Sequence, residues 1–371
     1  MLVVFIFVFL FFIFLYKFLT AYADFTLMSK KQPKRQEIED MAKRMNETHT
    51  FECFIPRVVW ITGASRGIGE ILAKQLASLG AKLIISARNE VELNRVRTQL
   101  KGKHAPDEVK ILPLDLSSGE DSLWIAVEKA ESFFPDSGVD YMMHNAAFER
   151  PKTSILDVTE EGLKATFDVN VLGTITLTKL LAPFMLKRGH GHFVVMSSAA
   201  AKAPAPGQAV YSASKYAVNG YFHTLRSELC QKGIQVTVIC PGPIATSNNA
   251  GSRVPSEKRV PSERCAELTI IAVTHGLKEA WISYQVKALI LAIYFCLNTL
   301  PFSIWLIFLH AYCAVCTLYV QPVLTVMYLV QYMPTIGYWV MDKIGKSRVE
   351  AAEQKGNTYS LSLMLGKKKA T

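Results

Sequence analysis

Residues 58–69 read VVWITGASRGIG, a short apolar run that leads into a glycine-rich turn. The following residues, 70–79 (EILAKQLASL), repeat apolar side chains at helical spacing. Strand, glycine turn and helix in this order predict a phosphate-binding loop, because glycines let the backbone approach a pyrophosphate at the helix N-terminus. The residues predicted to bind the nucleotide here are Gly63, Ser65, Arg66, Gly67, Ile68 and Gly69.

Arg88 ends the next predicted strand, residues 82–88 (KLIISAR). In NAD enzymes an acidic residue at this position, about twenty residues past the glycines, binds the adenosine ribose. An acid would repel a 2′-phosphate, whereas Arg88 and Arg66 can bind it through charge-assisted hydrogen bonds. We therefore expect NADP(H) as the cofactor; the alternative is that both arginines are ordinary solvated surface residues.

Strands and helices go on alternating after this point. Further strands are predicted at 109–113, 139–143, 191–196 and 235–240, with helices between them. Ser117 or Ser118 is expected to cap the helix after the third strand. This alternation predicts the α/β class: a single Rossmann-type, doubly wound parallel sheet.

Ser198, Tyr211 and Lys215 carry the chemistry in the second half of the domain. Ser198 follows the fifth predicted strand, and Tyr211 stands thirteen residues later at the start of a predicted helix. Lys215 is four residues beyond Tyr211, so the two side chains share one helix face. A phenol has a pKa of about 10, and a neighbouring ammonium lowers it by favouring the phenolate. Ser198 can hold a carbonyl oxygen beside that phenol.

From about residue 56 to 283 the chain resembles the short-chain dehydrogenase/reductase family. The family motifs stand here as Thr62-Gly63-x3-Gly67-Ile68-Gly69, Asp115-Leu116, Asn145-Ala146-Ala147, Asn170, Ser198, Tyr211-x3-Lys215 and Pro241-Gly242-Pro243-Ile244-x-Thr246. One departure is Ala147, where the family usually has glycine.

The resemblance implies a role for each matching residue. Tyr211 would be the general acid/base and Ser198 would orient the substrate carbonyl. Lys215 would bind the nicotinamide ribose and lower the pKa of Tyr211, while Asn170 would hold a relay water. The remaining cofactor contacts would come from Asn145, from Asp115 and Leu116 at the adenine, and from the stretch Pro241 to Thr246 at the nicotinamide. The family also implies a homodimer or tetramer.

An apolar segment begins the chain, with no charged side chain before Lys17. A helix over residues 1–22 is long enough to cross a bilayer. A cleaved signal peptide would have a basic start and a cleavage site of small residues, so a retained anchor is favoured. The positive-inside rule places the rest of the chain in the cytoplasm. The terminal Lys367-Lys368-Lys369-Ala370-Thr371 resembles a dilysine retrieval signal of the endoplasmic reticulum, although the glycosylation sequon at Asn46 favours the lumen.

Two C-terminal stretches, 276–283 and 331–335, look like those of a membrane-anchored group within the family, that of member seven. That group is linked to steroid, retinoid and xenobiotic carbonyls. Between the stretches lies an apolar insertion, 286–321, for which two interpretations stay open: a membrane hairpin or second anchor, or a translated intron. The predicted organisation is therefore an anchor (1–22), a linker (23–55), the enzyme domain (56–285), the insertion (286–321) and a C-terminal segment with a basic tail (322–371).

Composition excludes other classes of protein. Lysines and arginines flank the apolar segments and are not gathered on one helix face, so the net charge of +10 favours anionic lipid over nucleic acid as a partner. The seven scattered cysteines do not make a zinc site, so no metal is expected. A polar loop at 247–264 is expected to cover the substrate, for which we predict a lipophilic ketone, aldehyde or alcohol. The alternative to an enzyme is a non-catalytic dinucleotide-binding membrane protein.

Overall fold

A computed structural model describes residues 57–149, 154–203, 207–245 and 259–283, together with residues 327, 330 and 331. The predicted anchor, linker and apolar insertion all lie outside these residues, as does nearly all of the C-terminal segment. Of that last segment, Met327 is 1% exposed and forms part of the apolar core.

Seven parallel strands form the main sheet, which confirms the predicted doubly wound α/β class. Its strand order is β3-β2-β1-β4-β5-β6-β9, and β7 pairs with β8 in a separate short ladder. The strands are β1 (Val58–Thr62), β2 (Lys82–Ser86), β3 (Lys110–Ile111), β4 (Tyr141–His144), β5 (Gly191–Met196), β6 (Ile234–Pro241), β7 (Ile244–Ala245), β8 (Val260–Pro261) and β9 (Glu279–Ile282).

The central strands are mainly apolar, as a sheet covered by helices requires. Every residue of β1, β4 and β5 is buried, as expected for parallel strands packed on both sides. The third strand is shorter than the predicted 109–113, and β9 is a strand that the sequence reading did not predict.

Seven α-helices connect the strands of the described domain. They are α1 (Gly67–Ser78), α2 (Glu90–Gln99), α3 (Glu120–Ser132), α4 (Glu160–Phe167), α5 (Thr174–Arg188), α6 (Ala209–Leu229) and α7 (Ser262–Thr274). Helix α1 packs against α7, and α3 packs against α5. A π-helical turn, Asp168–Gly173, joins α4 to α5 and contacts α6.

Among the described residues, the helical stretch Glu160–Arg188 has the length and apolar character of a membrane span. Half of the most apolar part of this stretch is buried inside the domain, where it packs on the sheet and on α3. A core helix of this kind passes the same test, so this stretch carries no conclusion about a membrane. The predicted anchor at 1–22 stays a prediction.

The predicted serine cap of α3 was wrong. Gly119 is the N-cap residue, with φ of 90°, and it makes no side-chain cap bond. Ser117 and Ser118 belong to the preceding turn, where the Ser117 amide and hydroxyl both donate to Asp115 Oδ1. The Ser118 hydroxyl donates to the Asp115 carbonyl oxygen. Both serine hydroxyls are therefore hydrogen-bonded to Asp115 and do not cap the helix.

Two buried histidines should make the domain sensitive to acid. Burial lowers the pKa of His144 and of His192 to about 3. The Thr178 hydroxyl donates to the Thr174 carbonyl, so His144 donates its Nε2 proton to Thr178 Oγ1 at 2.8 Å. His192 likewise lies 2.9 Å from a threonine hydroxyl that donates elsewhere. Both rings are thus held neutral in the folded state.

We expect the free energy of unfolding to fall between pH 7 and pH 5. The unfolded histidines have a pKa of about 6.5 and take up protons in this window, whereas the folded ones do not until about pH 3. Linkage gives a loss of about 2 kcal/mol per histidine at pH 5. Urea unfolding of the detergent-solubilised chain at both pH values measures it. A variant with His144→Gln and His192→Gln should lose much less, and an equal loss would contradict the assignment.

Candidate active site

The carboxyl ends of β1 and β4 meet at the point where the strand order reverses, which is where open α/β sheets bind ligands. The Asn145 side chain joins the two strand ends, donating to the carbonyl oxygens of Thr62 at 3.0 Å and Gly63 at 3.1 Å. The Thr62 hydroxyl accepts from the amides of Asn145 and Ala146. The glycine turn is thus fixed against the loop that follows β4. The motif match placed Asn145 here, but it did not indicate the part played by Thr62.

The glycine turn tolerates no side chain at two of its positions. Gly63 has φ of 67°, and a Cβ atom there would lie 2.8 Å from Ala146 Cα. A Cβ atom on Gly69 would clash with the Gly63 carbonyl oxygen. These glycines therefore permit the close packing of α1 against the turn, as the spacing predicted.

The start of α1 offers donors to an anion. Its N-cap residue, Arg66, makes no side-chain cap bond, so the cap side chain leaves the first-turn amides to another acceptor. Arg66 and Arg88 are both exposed at this end of the sheet. The main-chain amides and the two guanidiniums are hydrogen-bond donors that fit the phosphates of a dinucleotide, and the helix dipole favours negative charge at the same place.

Arg95 on α2 supports the same loop from behind. Its Nη2 atom donates to the Ser65 carbonyl oxygen at 3.0 Å and to Glu70 Oε2 at 2.9 Å. Ile68 packs against the apolar core and helps to seat the turn. The sequence reading missed Arg95, since nothing in the local pattern of α2 distinguishes it from a surface arginine.

Asp115 and Leu116 follow β3 along the chain. Leu116 is 6% exposed. Burial would raise the pKa of Asp115, but hydrogen bonds from the Ser117 amide and hydroxyl, with the nearby charge of Arg88, lower it overall. Arg88 and Asp115, both predicted to contact the adenosine side of the cofactor, are therefore close enough to interact electrostatically.

Tyr211 and Lys215 lie on the first turns of α6, as their spacing predicted. The Lys215 ammonium is 5.6 Å from the centroid of the Tyr211 ring. Its Nζ atom donates to the Met196 carbonyl oxygen, at the end of β5, at 2.8 Å. The lysine is 4% exposed, so its charge sits beside the phenol with little water to screen it.

Burial lowers the pKa of Lys215 to about 8, and the negative charge of Glu149 opposes the shift. At pH 7 the ammonium form therefore predominates. Glu149 also accepts a hydrogen bond from Gln208, the N-cap residue of α6. The sequence reading missed Glu149, which lies four residues past Asn145 in the loop after β4.

Asn170 lies in the π-helical turn and is 2% exposed. Its Oδ1 atom accepts from the Phe148 amide at 2.7 Å, and its Nδ2 atom donates to the Phe148 carbonyl at 3.0 Å. Nδ2 also lies 3.1 Å from the Ser214 hydroxyl on α6. In the structure this side chain joins the loop after β4 to the helix of Tyr211. Turns of this type recur at functional sites.

Ser198 caps the short 3₁₀ turn Ala199–Ala201 after β5. Its hydroxyl oxygen accepts from the Ala200 amide at 3.1 Å and leaves the hydroxyl proton free to be donated. Pro241, at the other predicted edge of the site, is the last residue of β6 and is buried. Thr246 lies outside the described residues.

A cavity of about 110 Å³ opens between the start of α4 and the start of α6 and reaches Tyr211. Its lining mixes polar and small residues: Asp157, Val158, Thr159, Gly162, Thr166, Gly207, Gln208, Ala209, Val210 and Tyr211. Ile155 and Leu156, which directly precede the lining residue Asp157 along the chain, are 71% and 90% exposed. Within the described ranges, no cluster of three or more metal-binding side chains occurs.

Comparison with known proteins agrees with this geometry. A sequence model of the short chain dehydrogenase family matches residues 57–256. Human dehydrogenase/reductase SDR family member 7 is 30% identical over 349 residues, covering 90% of this chain and 87% of the relative. 11-beta-hydroxysteroid dehydrogenase A of Sesamum indicum is 35% identical over 206 residues, covering 53% of this chain and 57% of that protein.

A solved metagenomic short-chain oxidoreductase in complex with NADP has the same fold. The two chains superpose with a TM-score of 0.53 at 25% identity, covering 62% of this chain and 98% of the other. Fold and family match therefore agree. The chain belongs to the short-chain dehydrogenase/reductase family, whose members are oxidoreductases that use a nicotinamide dinucleotide.

Proposed function

We propose that this protein is an NADP(H)-dependent reductase of lipophilic carbonyl compounds, with Tyr211 as its general acid. The observation that carries the proposal is the buried Lys215 ammonium, 5.6 Å from the Tyr211 ring centroid and held by the end of β5. The geometry supports proton transfer at one phenolic oxygen, beside a dinucleotide loop. In the reverse direction the same groups would oxidise an alcohol.

Each side chain has a separate task in the proposed mechanism. The Ser198 hydroxyl donates to the carbonyl oxygen and sets its position. Tyr211 gives its proton to that oxygen as negative charge develops there, and the nearby Lys215 charge stabilises the resulting phenolate. The bound dinucleotide supplies the hydride. Asn170, which already joins the loop after β4 to α6, is proposed to hold the water that returns a proton to the site.

The proposed cofactor contacts follow the loop. Main-chain amides at Gly63, Ser65, Gly67, Ile68 and Gly69 would hold the pyrophosphate, and Arg66 and Arg88 would hold the 2′-phosphate. Asp115 and Leu116 would contact the adenine and Asn145 would also contact the cofactor, whereas Lys215 and the stretch Pro241 to Thr246 would contact the nicotinamide side. The solved metagenomic relative binds NADP, which supports this choice over NAD.

The substrate class is proposed from the surroundings of Tyr211. Ile155, Leu156 and Leu163 are exposed apolar side chains next to lining residues of this cavity along the chain, and an apolar substrate would cover them from water. The sesame relative is by name a hydroxysteroid dehydrogenase, which supports a steroid-like ketone among the candidates. Retinoid and xenobiotic carbonyls fit the same requirement.

Location is proposed from the sequence and from likeness to the member 7 relative. Residues 1–22 would anchor the chain in the endoplasmic reticulum membrane, with residues 23–55 as the linker and the enzyme domain, 56–285, facing the cytoplasm. Membrane lipid would be the partner of the apolar segments. For residues 286–321, both the membrane segment and the translated intron stay open; the C-terminal segment, 322–371, follows them. The proposed oligomeric state is a homodimer or tetramer, as is common in the family.

A substrate screen tests this function. The full chain, solubilised in a mild detergent, is assayed with NADPH and with NADH against steroid ketones, retinals and aromatic ketones. We expect turnover with NADPH for at least one apolar carbonyl, and little turnover for small sugars or hydroxy acids of similar reactivity. A chain that binds NADPH and reduces none of these carbonyls would favour the non-catalytic alternative.

A further inference from the structure

Glu279, the first residue of β9, joins three elements at the edge of the sheet. Its Oε2 atom is 2.9 Å from Lys202 Nζ, in the loop after β5, and 2.7 Å from His223 Nε2, on α6. Its Oε1 atom accepts from the indole N–H of Trp281, two residues along β9. Glu279 and Trp281 belong to the stretch 276–283, and neither residue has a role in the proposed mechanism.

The cluster is held mostly out of water and its charges are complementary. The side chains of Lys202 and Glu279 are 11% and 21% exposed, so the pair is less screened than a surface ion pair. The Lys202 ammonium also lies 5.9 Å from the centroid of the Trp281 ring. Burial would raise the pKa of Glu279, but hydrogen bonds from His223, Lys202 and Trp281 lower it to about 2.

The tautomer of His223 follows from its neighbours. Arg226 Nη1 lies 3.0 Å from His223 Nδ1, and a guanidinium can only donate, so Nδ1 is the acceptor. The ring proton therefore sits on Nε2 and is donated to Glu279. Helix α6, which carries Tyr211, is thereby tied to the same carboxylate as the loop after β5.

Lys202 is one short turn away from Ser198. The Ala201 amide donates to the Ser198 carbonyl at 2.9 Å, and the Lys202 amide donates to the Ala199 carbonyl at 3.0 Å. The alanines between the two ends are at most 4% exposed. Ser198 and Lys202 therefore stand at the two ends of one compact buried turn.

We propose that Glu279 and Lys202 are positioning residues that hold Ser198 in register with Tyr211. The inference rests on the proposed function, in which Ser198 orients the substrate carbonyl. The carboxylate holds the loop that begins with Ser198 and, through His223, the helix that carries Tyr211. Loss of the pair should misalign the carbonyl, which lowers kcat more than it weakens NADPH binding.

A double-mutant cycle on the full detergent-solubilised chain tests the proposal. Glu279→Gln, Ser198→Ala and the double variant are assayed with the ketone of highest kcat/KM from the substrate screen. We expect Glu279→Gln to lower kcat by about tenfold, with the KM for NADPH within about twofold of the parent. In the Ser198→Ala background the same substitution should lower kcat by less than about twofold, because the register between Ser198 and Tyr211 no longer matters once the Ser198 hydroxyl is absent.

Two further variants keep the test decisive. Lys202→Met keeps the aliphatic stem over Trp281, removes the charge, and should reproduce the loss of kcat if Glu279→Gln does not fold. Glu131→Gln breaks the partly buried Glu131–Arg188 pair between α3 and α5, and should leave kcat unchanged. Additive losses in the cycle would overturn the positioning role alone. A Ser198→Ala variant with parental kcat would overturn the proposed function of Ser198, and the positioning role with it.

Discussion

Replacing Tyr211 with phenylalanine is expected to lower kcat by about 10²- to 10⁴-fold, the usual contribution of a positioned general acid. The substitution removes one hydroxyl and keeps the ring that lies 5.6 Å from the Lys215 ammonium. The fold and the dinucleotide loop should be undisturbed, because the ring and its packing on α6 are retained. NADPH binding, followed by the quenching of protein fluorescence, should therefore stay within a few-fold of the parent.

Tyr216→Phe is the matched control for this prediction. Tyr216 lies on the same helix, 44% exposed, and the same atom is removed from it. We expect kcat for this variant to stay within about twofold of the parent. If Tyr211→Phe retained more than about a third of the parental kcat, the proton would come from another group and the proposed mechanism would be wrong.

The sequence was most informative where local pattern and fold agree. Val58–Thr62 and Gly191–Met196 are mainly apolar, and strands covered on both faces require mainly apolar residues. The Tyr211 and Lys215 pair could be placed on one face from spacing alone, because the helix sets that geometry whatever surrounds it.

What the sequence could not supply were contacts between distant elements. Strand β9 is short and begins with Glu279, whose charge is tolerated only because Lys202 and His223 approach it in space. The residues 168–173 read as an ordinary helix, whereas the structure has a π-helical turn there, whose Asn170 side chain bonds Phe148 and Ser214. The prediction that Ser117 or Ser118 caps α3 was wrong for a similar reason, since both hydroxyls donate to Asp115 instead.

The second large effect concerns the choice between NADPH and NADH. A double variant, Arg66→Ser with Arg88→Asp, is expected to lower kcat/KM for NADPH by about 10²- to 10³-fold. Each hydrogen bond to a charged group contributes about 1.5 to 3 kcal/mol, and 1.4 kcal/mol corresponds to a factor of ten. The lower part of the combined range applies, because both arginines are exposed and water screens them. The carboxylate introduced at position 88 would also repel the 2′-phosphate.

For NADH the same substitutions should leave kcat/KM unchanged or raise it, because a carboxylate at the end of β2 can accept from the free ribose hydroxyls. Lys101→Ser with Lys103→Asp supplies the control for net charge, because it removes two exposed lysines and introduces one carboxylate, as the double variant does with the arginines. Both lysines follow α2, whose C-terminus lies at the amino end of the parallel strands and so away from the site. Initial rates with both cofactors give the preference ratio directly. If the NADPH/NADH preference ratio changed equally in the control, the effect would come from long-range charge. If the ratio did not change in the double variant, neither arginine would bind the 2′-phosphate and both would be ordinary solvated surface residues.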